Sequence, residues 1–194
     1  MNSIVALTLK LMIPITLGAL CGTISERGGV IMLGVEGMML FGSFFAVLGS
    51  YISGSAWVGL LFAILSGAIL GWLYCLFCLR FKAHQSVIGV GLNMLASGLT
   101  QVLLKAIWGR EGMSDFVSTI PAIRIPFLSN VPILGVLFSD QTPFFYFTLV
   151  IVAFVWFVFY KSKYGLRYRA IGDHPLAVRT MGVDVNRYRY VALT

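Results

Sequence analysis

Five separate stretches of this chain are long enough and apolar enough to cross a lipid bilayer, and that restricts its fold more than any single motif does. The runs cover residues 4–24, 30–51, 56–79, 86–108 and 144–160, each close to the roughly 20 residues a helix needs to span the hydrocarbon core. A sixth run begins near Tyr190. With 59% hydrophobic and 11% charged residues, and a mean hydropathy of +0.92, the chain lies far from the mix of a soluble domain. The expected class is all-α: a polytopic helical membrane protein of about five transmembrane helices, residues 1–194 forming one transmembrane domain. The first apolar run has neither a basic leader nor a small-residue cleavage site, so it reads as a retained helix rather than a signal peptide.

The connections fall at residues 25–29, 52–55, 80–85, 109–143 and 161–189, where Gly, Pro, Ser and charged residues collect. Arg80 and Lys82 share one short connection, and Lys161, Lys163, Arg167, Arg169, Arg179, Arg187 and Arg189 crowd another. Basic loops stay in the cytoplasm. Alternation then puts Arg27 on that side as well, with the amino terminus and the 109–143 loop outside. Ten of the fourteen Lys and Arg residues thus face the cytoplasm, which accounts for the formal charge of +7 by membrane orientation, with no nucleic acid as partner. Within the outer loop, the apolar run 131–138 is too short to cross and suits a re-entrant or interfacial piece.

Residues 26–39 read Glu-Arg-Gly-Gly-Val-Ile-Met-Leu-Gly-Val-Glu-Gly-Met-Met. At 1.5 Å per residue counted from Val30, Glu36 lies roughly 9 Å into a span. A carboxylate at that depth needs protein or a water-filled path beside it, which makes it a candidate for the solute pathway. The structural alternative is that Glu36 only ties two helices together, by pairing with Arg27 or capping backbone broken at Gly34 and Gly37. Ser43 and Ser50 follow at intervals of seven and share its helical face. Ser86, Asn93, Ser97 and Thr100 form a second polar stripe that lipid would leave unsatisfied. Such small polar residues serve equally as interhelical packing points. The pathway candidates are therefore Glu36, Ser43, Asn93, Ser97 and Thr100, with Asn93 the foremost for solute contact.

The basic segment 161–189 carries a further signal. Pro175 suits the first turn of a helix and Gly182 its stop, so a two-turn helix is expected between them. Lying along the membrane and exposing Leu176, Val178 and Met181, it makes a knob for a groove on a cytoplasmic partner; a plain basic loop that only sets topology is the simpler reading.

Several chemistries lack their residues. Cys21, Cys75 and Cys78 sit inside apolar runs without the further ligands of a zinc site. His84 and His174 both fall in connections, with no nucleophile or ligand cluster near them in sequence. The chain contains no G-x-x-x-x-G-K-[ST] phosphate loop, so any ATP hydrolysis is supplied by another subunit. No metal or cofactor is expected, and the chain is a conduit rather than an enzyme.

Residues 26–39 resemble the E-R-x-G-V-x-x-L-G-x-E-G-M-M signature of permeases of binding-protein-dependent ABC importers for nucleosides, ribose and similar sugars, more distantly related to branched-chain amino acid permeases. Residues 87–100 resemble that family's I-x-G-x-x-L-N-x-L-A-x-G-L-T pattern. Residues 165–183 are similar to its cytoplasmic coupling segment, G-L-R-x-R-A-x-G-x-x-P-x-A-A-x-x-x-G, with Val178 in place of the usual second alanine. The resemblance implies that Gly172, Pro175, Leu176, Ala177, Val178, Met181 and Gly182 engage the ATPase. It also implies two permease subunits, identical or paired with a sister, carrying two ABC ATPase subunits and fed by an extracytoplasmic solute-binding protein at the bacterial cytoplasmic membrane. Members of that family continue with further helices, so it implies a C-terminally incomplete chain.

An ion-coupled secondary transporter for a small polar solute is the main rival, since an intramembrane glutamate beside glycine-rich helices suits ion coupling too. Such a carrier has no need of the basic coupling segment. A membrane-embedded enzyme would require clustered His, Asp or Cys at one level of the membrane, and a purely structural subunit would move no solute.

Overall fold

The computed structural model describes residues 2–109, 112–114, 117 and 143–193. The run 131–138, expected as an interfacial piece, lies outside the described residues. Helices α1 (Asn2–Arg27), α2 (Val35–Ser53), α3 (Ala56–Cys75), α4 (Gln85–Trp108) and α5 (Pro143–Lys161) are followed by three short ones, α6 (Lys163–Asp173), α7 (Pro175–Thr180) and α8 (Val185–Leu193). No strand occurs among the described residues. Helix α3 runs on through one π-helical turn, Leu76–Arg80. The five long helices are each apolar and long enough to cross a membrane, matching the five expected runs. Large apolar side chains such as Ile64, Val87, Met94 and Phe154 lie on their outer faces, a surface suited to hydrocarbon rather than to water.

The second span departs from expectation. Helix α2 begins at Val35, not at residue 30, and the chain between α1 and α2 is irregular and alternates between buried and exposed residues. Val30 and Met32 lie in the core beside Tyr74, Cys75 and Cys78, while Ile31 and Leu33 face outward. Apolar side chains made this stretch read as helix, but glycines at 28, 29 and 34 let the backbone unwind. Gly29 takes a φ of +75°, a conformation that side-chain-bearing residues rarely adopt.

Unwound backbone in an apolar setting must find hydrogen-bond partners inside the protein. Here side chains supply them. Ser25 Oγ donates to the Val30 carbonyl at 2.5 Å, and Tyr74 Oη to that of Ile31 at 2.6 Å. The Ile31 N–H donates to Gln85 Oε1 at 2.8 Å. Asn93 Nδ2 donates to the Leu33 carbonyl at 3.1 Å, while its Oδ1 accepts from the Gly37 N–H at 2.8 Å. Helix α4 approaches closely enough for this because residue 89 is glycine: a Cβ there would stand 2.7 Å from Leu33 Cβ.

The other end of the bundle is closed by aromatic rings. Trp108, the last residue of α4, meets Phe44 and Tyr51 of α2 edge to face, at centroid distances of 6.1 and 5.4 Å. Tyr and Trp at a helix end suit the membrane–water interface. The basic segments gather at the opposite end, as the expected topology requires.

Gly89→Ala should lower the thermal midpoint of the purified protein by an amount equivalent to about 1–3 kcal/mol, the usual penalty for overpacking. Gly91→Ala, two residues on and so about 200° round the same helix, with open space around it, should leave the midpoint unchanged or raise it. Equal midpoints for the two variants would show that α4 does not press on the unwound segment.

Candidate functional site: a cleft at the helix break and a basic module beneath it

Glu36 lies in the first turn of α2, where the helix dipole favours an acidic side chain. It is exposed and faces an open cleft of about 500 Å³ whose walls include Asn93, Ser97 and Gln101 of α4. Arg27 lines a different groove, against α5, and among the described residues it makes no ion pair with Glu36. The cap at Gly37 comes from Asn93, so neither structural role considered for Glu36 is filled by it.

The polar stripes divide differently from their spacing. On α4, Gly89, Leu92, Ala96 and Thr100 are the buried positions, and their spacings of three and four mark one packing face. Thr100 belongs to that face and away from the cleft; its hydroxyl is buried without a hydrogen bond among the described residues. Gln101, one residue on, turns into the cleft in its place. Its signal was available, since it lies four residues beyond Ser97 on the same side. Ser43 also leaves the Glu36 cleft: it lines a second cavity, about 580 Å³, with Gly18, Met39 and Gly67. A seven-residue step falls about 20° short of two full turns, enough to carry Ser43 past the edge of the cleft. Asn93 borders the cleft, but its amide holds the backbone on both sides of Gly34.

The basic module lies below the break. The Ser162 hydroxyl caps α6 by accepting from the Gly165 N–H at 3.2 Å, and this helix, read from sequence as loop, buries Gly165, Tyr168 and Ile171. Helix α7 starts at Pro175 and stops before Gly182, whose φ of +80° permits the reversal. That start and stop are the expected ones. Leu176 and Met181 stand 77% and 81% exposed, and Ala177 is exposed too. Val178 does not join them. It is buried with Ile171 and Val185, because one side of so short a helix must pack against α6 and α8.

Three contacts fasten the module to the end of α1 and to the break. Tyr168 Oη donates to the Ile24 carbonyl at 2.9 Å. Burial pushes the Tyr168 phenol up to about 12, although neighbouring Arg189 acts in the opposite direction; the hydroxyl therefore keeps its proton. Arg189 Nε donates to the Gly28 carbonyl at 2.9 Å. Gly172 packs against Gly29: a Cβ on Gly29 would stand 3.3 Å from Gly172 Cα.

A model of the family described as branched-chain amino acid transport system, permease component, matches residues 4–194. The chain belongs to this family of permease components, multi-pass helical proteins of the bacterial cytoplasmic membrane. It is 35% identical over 200 aligned positions to the guanosine ABC transporter permease protein NupQ of Bacillus subtilis, covering 100% of this chain and 63% of that one. Identity to the nucleoside ABC transporter permease protein NupC of Lactococcus lactis is 33%, over 93% of this chain and 59% of the relative. A putative glucose ABC transporter permease of Haloferax volcanii is 36% identical over 88% and 51%. The chain thus spans between half and two thirds of the length of these curated relatives. No solved structure matches it.

Asn93→Leu, close in size but without hydrogen-bonding atoms, leaves the Gly37 N–H and the Leu33 carbonyl unanswered. Its thermal midpoint should fall by the equivalent of about 1–3 kcal/mol per orphaned group. Ser97→Ala should melt like the parent protein, and equal losses for the two would remove Asn93 from its bracing role.

Proposed function

We propose that this chain is the membrane-spanning part of a permease subunit of an ABC importer for nucleosides or related simple sugars. The observation that carries the proposal is the fixed connection between an exposed two-turn helix and the break that bears Glu36. Helix α7 offers Leu176 and Met181 to a cytoplasmic partner, while Tyr168, Gly172 and Arg189 tie the same module to residues 24–29. A push on α7 is thereby delivered to the root of α2. The printed names of the relatives, guanosine, nucleoside and glucose permeases, agree in a neutral solute that carries sugar hydroxyls.

In this mechanism the cleft beside Glu36 is one wall of the solute path. Its carboxylate accepts hydrogen bonds from sugar hydroxyls or base N–H groups, and Ser97 and Gln101 supply further polar contacts along α4. A second permease subunit, identical or related, provides the opposite wall. A solute-binding protein delivers cargo from outside, and two ABC ATPase subunits grip the α7 knobs. Their closure moves each module with its attached break and switches the path from one side of the membrane to the other. The chain does no chemistry on the solute.

Uptake of labelled guanosine by cells expressing the full-length permease with its receptor and ATPase should depend on the ATPase; uptake persisting without it would point to ion coupling. Glu36→Ala should reduce this uptake about tenfold or more, the loss of a contact near 1.4 kcal/mol, and Ser43→Ala should not. Equal uptake by both would take Glu36 out of the path. Cysteines at Leu176 and Met181 should crosslink to the ATPase, whereas one at buried Val178 should not. No crosslink at either exposed position would overturn the coupling assignment.

A further inference from the structure

A groove of about 210 Å³ between α1 and α5 plays no part in the mechanism above. Its walls are apolar, built from residues such as Leu20 of α1 and Val155 of α5, and its polar lining includes two guanidinium groups, Arg27 and Arg169. No carboxylate lines it among the described residues. Two cations without a counter-charge beside an apolar slot between membrane-crossing helices invite an amphiphile with an anionic head.

The rim adds two observations. Trp156 and Tyr160, one helical turn apart on α5, line the groove with centroids 6.3 Å from each other, and such rings favour the headgroup level of a bilayer. The Arg169 guanidinium stands over the Tyr160 ring, 5.2 Å from its centroid, which fixes its position at the rim. Its Nε is buried yet makes no hydrogen bond among the described residues. A buried cationic N–H without an acceptor is costly, and an oxygen of a bound anion would satisfy it. A nucleoside or sugar carries no charge to match the two arginines. Free inorganic phosphate would match them but would leave the apolar walls uncovered.

We propose that this groove holds an anionic phospholipid of the cytoplasmic leaflet, its phosphate between Arg27 and Arg169 and its chains along Leu20 and Val155. Basic pockets between transmembrane helices on the cytoplasmic side commonly take such headgroups. The inference rests on membrane orientation, not on what the protein transports.

The test uses the full-length protein in nanodiscs of phosphatidylglycerol and phosphatidylcholine, with lipid retained after detergent release counted by native mass spectrometry. The parent protein should keep phosphatidylglycerol in preference to phosphatidylcholine. Arg27→Gln combined with Arg169→Gln should weaken that retention about tenfold to thirtyfold. Val155→Trp, which fills the groove and leaves both arginines in place, should also displace the lipid, so a folding defect in the arginine variant does not decide the matter. Unchanged retention in both variants would overturn the proposal. Thermal stabilisation by inorganic phosphate equal to that by phosphatidylglycerol would overturn it too, in favour of a free anion. Because lipid is counted without measuring uptake, failure here is distinguishable from failure of the importer reading.

Discussion

The structure depends on how the carbonyls and amides of one unwound stretch, between Arg27 and Val35, are answered away from water. A helix carries its own hydrogen bonds, so four of the five crossing segments need only an apolar surface. The second surrenders that self-sufficiency at residues 29–34. Hydroxyl and amide groups of Ser25, Tyr74, Gln85 and Asn93 replace the missing intrahelical bonds. This fixes where α3 and α4 must stand, since Tyr74 and Gln85 have to reach the same residue from different helices. It also explains the small residues at the contact, where Gly89 and Gly37 admit neighbouring backbone and the Asn93 amide.

The break is joined to the cytoplasmic end of the chain as well. Gly28 and Gly29 meet the module of α6, α7 and α8, which touches them through Tyr168, Arg189 and Gly172, while α4 holds the residues that follow, Ile31 and Leu33. An unwound stretch can change φ and ψ with less loss than a helix, and segments that absorb motion are commonly of this kind. The same glycines that forbid a continuous helix therefore place a non-helical element between the exposed helix α7 and a carboxylate at the root of α2.

Much of this was legible in the sequence because hydropathy acts over about twenty residues at a time and tolerates local error. The five spans rest on that signal, and the short helix opened by Pro175 and closed by Gly182 on equally plain start and stop residues. The break was not legible as a break, because Val30, Ile31, Met32 and Leu33 are as apolar as any helix face. Three of the four partners that permit it, Tyr74, Gln85 and Asn93, are 43 to 60 residues distant in sequence. Polar stripes misled at their edges for a geometric reason. Thr100 and Gln101 are adjacent, yet 100° of helical rotation sends one into the core and the other into the cleft. Val178 shows the same limit in a shorter element: a two-turn helix presents only part of its surface, and which part depends on α6, itself hidden inside a run that read as basic loop.

The most direct test of the account is amide hydrogen exchange of residues 29–34 in the purified full-length protein. The Ile31 amide, though outside any helix, should exchange as slowly as amides within α2 and α4, and Gln85→Ala should release it selectively by removing its acceptor. Exchange of Ile31 at the rate of an open loop in the parent protein, or no response to Gln85→Ala, would contradict the claim that side chains hold the broken backbone in place.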